Sequence, residues 1–352
     1  RSQVALARVP WLEQVGSGIW RGQLRYQVTP EANCEMGIVG CLEAAEAQSR
    51  TGWSGHIQLS GAEFPLPGLA APLKIAAVDA QLDGAHVVLD RIQAEAGKVA
   101  LHGQYRYEPK SPRPHRLHLV IPKADAAELE RLLEPTLRRD RSLLARALGR
   151  VGIGRAPMPA WLADRHMEGT VQIGSLAVAG TNWTNVRGRL LWDQAKVELL
   201  NLQAGVDGGS LSGKLAANLR GPRPSYELTG HLKGIDWRSG EVDSELDAAT
   251  RGMGPELLAN LRVKGSFAAR SVDLPALPPV RTVSGMFTAA WANGAPMLAF
   301  PELQVAGAGG IYTGKGSTQP NGTLLIQLSN GSKEMRVSGT LAQLRLDEGQ
   351  GQ

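Results

Sequence analysis

Strict alternation of apolar and polar residues, returning in segment after segment, is what most limits the folds open to this chain. Ser210–Leu219 reads S-L-S-G-K-L-A-A-N-L. Leu211, Leu215, Ala217 and Leu219 fall on one side of an extended backbone, with Ser210, Ser212, Lys214 and Asn218 on the other. Tyr226–Lys233 repeats the pattern, setting Tyr226, Leu228 and Leu232 against Glu227, Thr229, His231 and Lys233, and Leu324, Ile326 and Leu328 do so near the end. Successive side chains leave a strand on opposite faces, so a period of two with one polar side marks half-buried antiparallel strands. The 42 glycines and 21 prolines in 352 residues supply turns for many short strands, and with aromatic residues at 5% the apolar side is aliphatic. The predicted fold class is mainly β: repeated antiparallel strands forming an extended curved sheet or open β-groove.

Helical spacing is rare. Leu129, Leu132, Leu133, Leu137, Leu143, Leu144 and Leu148 form a stripe within Ala124–Leu148, which Pro135 splits or kinks. Pro255–Leu261 reads as a short helix with proline in its first turn, and Pro159–Ala163 as one turn more. A Gly- and Pro-containing linker at 150–159 suggests two regions, 1–160 with a helical insertion at about 124–150, and 161–352.

An internal repeat is the more specific signal. Shifted by 110 residues, Leu82–Pro114 lies over Trp192–Pro224 without a gap, and eleven of thirty-three positions are identical. Ordinary residue usage gives about two by chance. The identities include Asp83 with Asp193, Val87 with Val197, Leu89 with Leu199, Gly103 with Gly213, and Pro112-Arg113-Pro114 with Pro222-Arg223-Pro224. A weaker third copy places Leu303 and Gly314 eleven apart, as Leu202 and Gly213 are. Each copy reads as a strand, an Asp or Asn turn, a V-x-L strand bending into an I/L-Q-A/V segment, a strand carrying the glycine, and one or two strands after the P-R-P turn. Such a unit of roughly five strands has one apolar face that it cannot bury alone, and adjoining units extend that face.

Signals for catalysis are missing from the sequence. There is no G-x-S-x-G, P-loop or H-E-x-x-H, and the carboxylates are dispersed. His115 and His118, three apart in a strand, point to opposite faces and share no metal. No catalytic residue, metal site or cofactor is expected. Cys34 and Cys41 are spaced either to close a small disulfide or to remain two thiols, and no further Cys or nearby His completes a zinc set. The charge of +5 is spread along the chain without a Lys/Arg run interleaved with aromatics, so nucleic acid is not an expected partner. Arg138, Arg139, Arg141, Arg146 and Arg150 form either a solvated helix face or a surface for anionic headgroups. No apolar run reaches the ~18 residues of a membrane-spanning helix, and a chain starting at Arg1 reads as a piece of something longer.

The stretch Gly169–Trp237, with G-G-S-L-S-G-K-L at Gly208–Leu215 and P-S-Y-E-L-T-G-H-L-K-G-I-D at Pro224–Asp236, resembles the C-terminal part of AsmA-like proteins. Gly254–Phe267, G-P-E-L-L-A-N-L-R-V-K-G-S-F, is similar to that family's short helix leading into a G-x-F strand. The resemblance is best over 165–346. It implies a body in the periplasm, tethered to the inner membrane by an N-terminal anchor outside this sequence. It also implies a long sheet folded into an apolar groove, as in bridge-like lipid-transfer proteins, moving phospholipid or supporting outer-membrane biogenesis. No catalytic residues come with it.

The expectation is therefore a non-enzymatic envelope protein holding phospholipid acyl chains in a β-groove lined by Val87, Leu89, Val197, Leu199, Leu211, Leu215, Leu228 and Leu232. Envelope proteins are further expected partners. The rival expectation is a structural or adaptor β-module that binds a protein partner in the periplasm.

Overall fold

A computed structural model describes residues 17–27, 52–138, 159–272, 280–292, 294–307, 310–340 and 343–347. Cys34, Cys41, Arg139, Arg141, Arg146 and Arg150 lie outside these residues. Among the described residues the chain is mainly β, with nineteen strands that pairing joins into one sheet. They are β1 Ser17–Gln27, β2 Gly52–Phe64, β3 Leu73–Gly84, β4 His86–Ala96, β5 Val99–Tyr107, β6 His115–Asp125, β7 His166–Val178, β8 Thr181–Asp193, β9 Lys196–Val206 and β10 Gly209–Asn218. β11 Ser225–Trp237, β12 Gly240–Arg251, β13 Arg262–Arg270, β14 Val280–Ala292, β15 Ala295–Gly307, β16 Gly310–Thr318, β17 Leu324–Ser329, β18 Glu334–Thr340 and β19 Gln343–Asp347 follow. Within β1–β6 and within β10–β19, each strand pairs antiparallel with the next in sequence.

Four short helices are described: α1 Ala126–Leu132, α2 Glu134–Leu137, α3 Ala160–Ala163 and α4 Pro255–Ala259. Asp125 caps α1 by accepting from Ala127 N at 2.8 Å. The long leucine stripe is cut at Leu133, and Pro135 stands in the first turn of α2, where its missing N–H costs nothing.

The chain forms two compact units, Arg1–Leu176 with Arg189–Val197, and Ala177–Gly188 with Glu198–Gln352. In the first unit Ile57, Leu82 and Val87 pack together, each at most 2% exposed, and Leu59, Phe64, Ile75, Val78 and Ile92 form an adjoining cluster. In the second, Leu303, Val305, Leu324, Leu328, Val337 and Leu344 are buried together.

The repeat is written into the backbone. Gly84 and Gln194, 110 apart, turn the hairpins after Asp83 and Asp193 with φ of 59° and 54°. Arg91 and Asn201 both have φ of 52°, and Gly97 and Asp207 have 60° and 43°. At Arg91 the β4–β5 register slips between Leu89 and Ile92. The bend expected after V-x-L is thus a β-bulge, which keeps Val87 and Leu89 on the same face as Ile92 and Ala94 despite the extra residue. In β15 the register against β16 slips between Phe300 and Leu303, at the corresponding place in the third copy.

Candidate functional site

Register turns the alternation into two continuous surfaces. In the second unit Leu215, Leu228, Ala248, Val263, Ala289 and Leu298 stand opposite one another across β10–β15. A parallel row runs Leu211, Leu232, Ser244, Phe267, Gly285, Leu303. The other face carries Lys214, Thr229, Asp247, Lys264 and Thr288 in register. Its charges pair across strands, with Lys264 Nζ 3.8 Å from Asp247 and Arg270 2.5 Å from Asp243.

Glycines let neighbouring strands of this sheet approach closely on its apolar face. A methyl group on Gly213 would overlap the carbonyl oxygen of Thr229, and one on Gly314 that of Gln327. In the first unit Gly103 stands in the same relation to His118. Each is the repeat's glycine, paired with an apolar-face residue or glycine of the next strand: Gly230, Leu328 and Leu119 respectively. Without a Cβ the neighbouring backbones close up on that side, as at glycine kinks in curved sheets.

Of the eight residues expected to line a groove, Leu211, Leu215, Leu228 and Leu232 lie on one face of the second unit, paired Leu211–Leu232 and Leu215–Leu228. Val197 and Leu199 belong to β9, and the Leu199 side chain fills the space left by Gly188. Val87 and Leu89 lie on the apolar face of the first unit, opposite Tyr107 and Tyr105. Val87 and Leu211 are each 2% exposed and sealed by neighbours. Leu89, Val197, Leu199, Leu215, Leu228 and Leu232 are half-buried.

A cavity of about 690 Å³ in the second unit runs along the first row, lined by Leu228, Ala248, Val263, Ala289 and Leu298. The residues that flank the row in each strand, among them Thr229, Asp247, Lys264 and Thr288, line it as well.

Sequence reasoning missed a polar cluster on the apolar face of the first unit. Tyr105, Tyr107 and His115 share that face with Val87, Leu89 and Leu117. The Tyr105 hydroxyl lies 2.7 Å from His115 Nδ1. Burial pushes Tyr105 up to about 12, the neighbouring Tyr107 adding to the effect. Burial, Arg165 and His166 hold His115 below the usual histidine value, which favours the neutral imidazole in this contact. The Arg165 guanidinium stands 5.4 Å from the centre of the Trp161 ring and 5.1 Å from that of Trp192, a pair of cation–π contacts. Beside it Asp193 accepts two bonds from Arg113, the shorter 2.7 Å, and lies 3.2 Å from His166 Nδ1. On the same unit the indole N–H of Trp53 is buried without an acceptor among the described residues. His118 falls on the other face, 2.6 Å from Thr170 Oγ1, as its spacing from His115 requires.

No protein-family model matches the chain, and no curated protein or solved structure matches it.

Proposed function

We propose that this protein is a non-enzymatic cell-envelope component that binds phospholipid by its acyl chains along the apolar face of its β-sheet and passes it between membranes. The observation that carries this reading is the half-buried row Leu215–Leu228–Ala248–Val263–Ala289–Leu298. It crosses six strands in register, and a partly wetted aliphatic surface gains about 0.8 kcal/mol for each methylene laid upon it. The resemblance of Gly169–Trp237 to AsmA-like proteins supports the same reading, along with a periplasmic location, an inner-membrane tether and a role in outer-membrane biogenesis.

The test is native mass spectrometry of the purified chain, followed by lipid extraction. Copurified phospholipid, lost in Leu215→Glu and kept in Lys214→Glu, is the expected result. Lipid-free protein that also takes up no lipid from vesicles sinks the proposal. The adaptor reading draws on the charged and hydroxyl residues Asp247, Lys264, Thr229 and Thr288 that also line the 690 Å³ cavity, and it predicts that Leu215→Glu and Lys214→Glu are equally silent toward lipid.

A further inference from the structure

We infer that Arg165 and His115 form an oxyanion-binding site on the apolar face of the first unit, which takes the phosphate ester or carboxylate head of a molecule whose hydrophobic tail lies on Val87, Leu89 and their neighbours. The tail rests on the lipid reading above; the anion site stands on its own geometry.

Arg165 is half-buried, and its guanidinium meets no carboxylate and no hydrogen-bond acceptor among the described residues. Two indoles hold the guanidinium over their rings, an attraction that uses its π-face and leaves its N–H groups able to bind. Those groups are what grip phosphate or carboxylate oxygens in pairs. Asp193, next in sequence to Trp192, is already taken by Arg113 and His166. His115 uses Nδ1 toward Tyr105, leaving Nε2 to meet a ligand, as a donor whenever it carries the ring proton. Burial first, then Arg165 and His166, holds its pKa down, and a bound anion would act in the opposite sense.

The cluster is also built rather than incidental. Leu162, 0% exposed, anchors α3 beneath Trp161. Gly68 leaves room for the Trp161 ring, and its carbonyl accepts from Thr136 Oγ1 at 2.6 Å. Trp192 is fixed by its Nε1 donating to Gln194 O at 2.8 Å. Trp192 stands at the position that Leu82 occupies in the first copy of the repeat, so an aliphatic site has been exchanged for one half of a cation clamp.

Titration calorimetry of the purified chain in phosphate-free buffer, with three ligands, tests the site: inorganic phosphate, dihexanoyl phosphatidic acid and dihexanoyl phosphatidylcholine. The phosphatidic acid should bind at least about tenfold tighter than the zwitterion, the scale of a charge-assisted pair. Arg165→Gln should bring the two within about twofold, and Arg165→Lys should keep part of the difference. Because Arg165→Gln could disturb folding, the wild type is also read by the His115 imidazole proton resonance, whose midpoint should rise when phosphatidic acid is bound. Equal binding of both lipids with an unmoved His115 midpoint overturns the anion site and leaves acyl binding standing. Binding of inorganic phosphate with neither lipid bound supports the site with free phosphate as its ligand, and removes the lipid reading instead.

Discussion

Gly213 shows how much one missing methyl group decides. Its strand neighbour's carbonyl, that of Thr229, occupies the space a Cβ would need, and the obstacle is backbone rather than a side chain that could swing away. Gly213→Ala should therefore cost about 1–3 kcal/mol, the range for forcing extra volume into a packed structure. Ser212→Ala, one residue along on the exposed polar face, should stay within about 0.5 kcal/mol. Urea midpoints at constant m-value compare the two, and equal losses would show that the close approach does not depend on the glycine. At Asp193 the hydrogen bonds from Arg113, more than that from His166, hold the carboxyl below its ordinary value of 3.8. A depressed folded pKa gives stability that is present above the unfolded value and lost as pH falls through the folded one. Asp193 is 37% exposed, so screening limits this contribution to about 1 kcal/mol or less. Asp193→Asn should thus lower the urea midpoint modestly between pH 6 and 7 and converge with the wild type as pH falls through the depressed folded value. A gap of constant size down to acid pH would mean that Asp193 acts through packing instead.

Among the elements, β9 repeats at Asn201 the backbone conformation that Arg91 has at the bulge of β4. Asn201 adopts φ of 52°, a left-handed conformation that asparagine tolerates better than most residues. The extra residue lets Leu202 and Ala204, both buried, share a face with the half-buried residues that precede it. Deleting Asn201 restores a regular period of two, which turns Leu202 and Ala204 outward and brings Gln203 inward. The deletion should abolish cooperative unfolding by circular dichroism, whereas Asn201→Gly should unfold within about 1 kcal/mol of the wild type. A deletion that melts normally would show that the register can slip without penalty. Much of this was legible beforehand, because a bulge leaves a trace in sequence: the phase of the alternation changes after Leu89 and again after Leu199, and the 110-residue shift aligns the two changes. The strands at 210–219 and 226–233 and the helix break at Pro135 were readable for the same local reason. The Arg165 clamp was not. Tyr105, His115, Trp161, Arg165 and Trp192 come from four separate segments, and only the pairing of β4–β6 and the placement of α3 bring them together. The sealing of Val87 and Leu211 was equally hidden, since alternation tells which face a side chain takes and not how closely its neighbours cover it.

At the scale of the molecule, a meander in which each strand pairs with its sequence neighbours makes the apolar face grow perpendicular to the strands. Six strands at about 4.8 Å spacing carry the Leu215–Leu298 row across roughly 24 Å. One acyl chain spans about 15 Å in half of a bilayer's hydrocarbon core, so a whole tail fits along the row within the second unit. Such a surface recognises length rather than chemistry. With about 0.8 kcal/mol per methylene, each two-carbon extension of a bound chain should tighten binding about tenfold until the chain leaves the row or outgrows it. Lysophosphatidylcholines of eight to sixteen carbons, held below their micellar concentrations and read by quenching of tryptophan fluorescence with brominated chains, measure that slope. Val263→Glu, on the row, should flatten it, and Lys264→Glu, on the opposite face and one residue away, should leave it unchanged. If both variants behave alike, or if affinity does not depend on chain length, acyl chains do not lie on this face. The register that set six apolar residues in line would then serve the packing of the sheet alone.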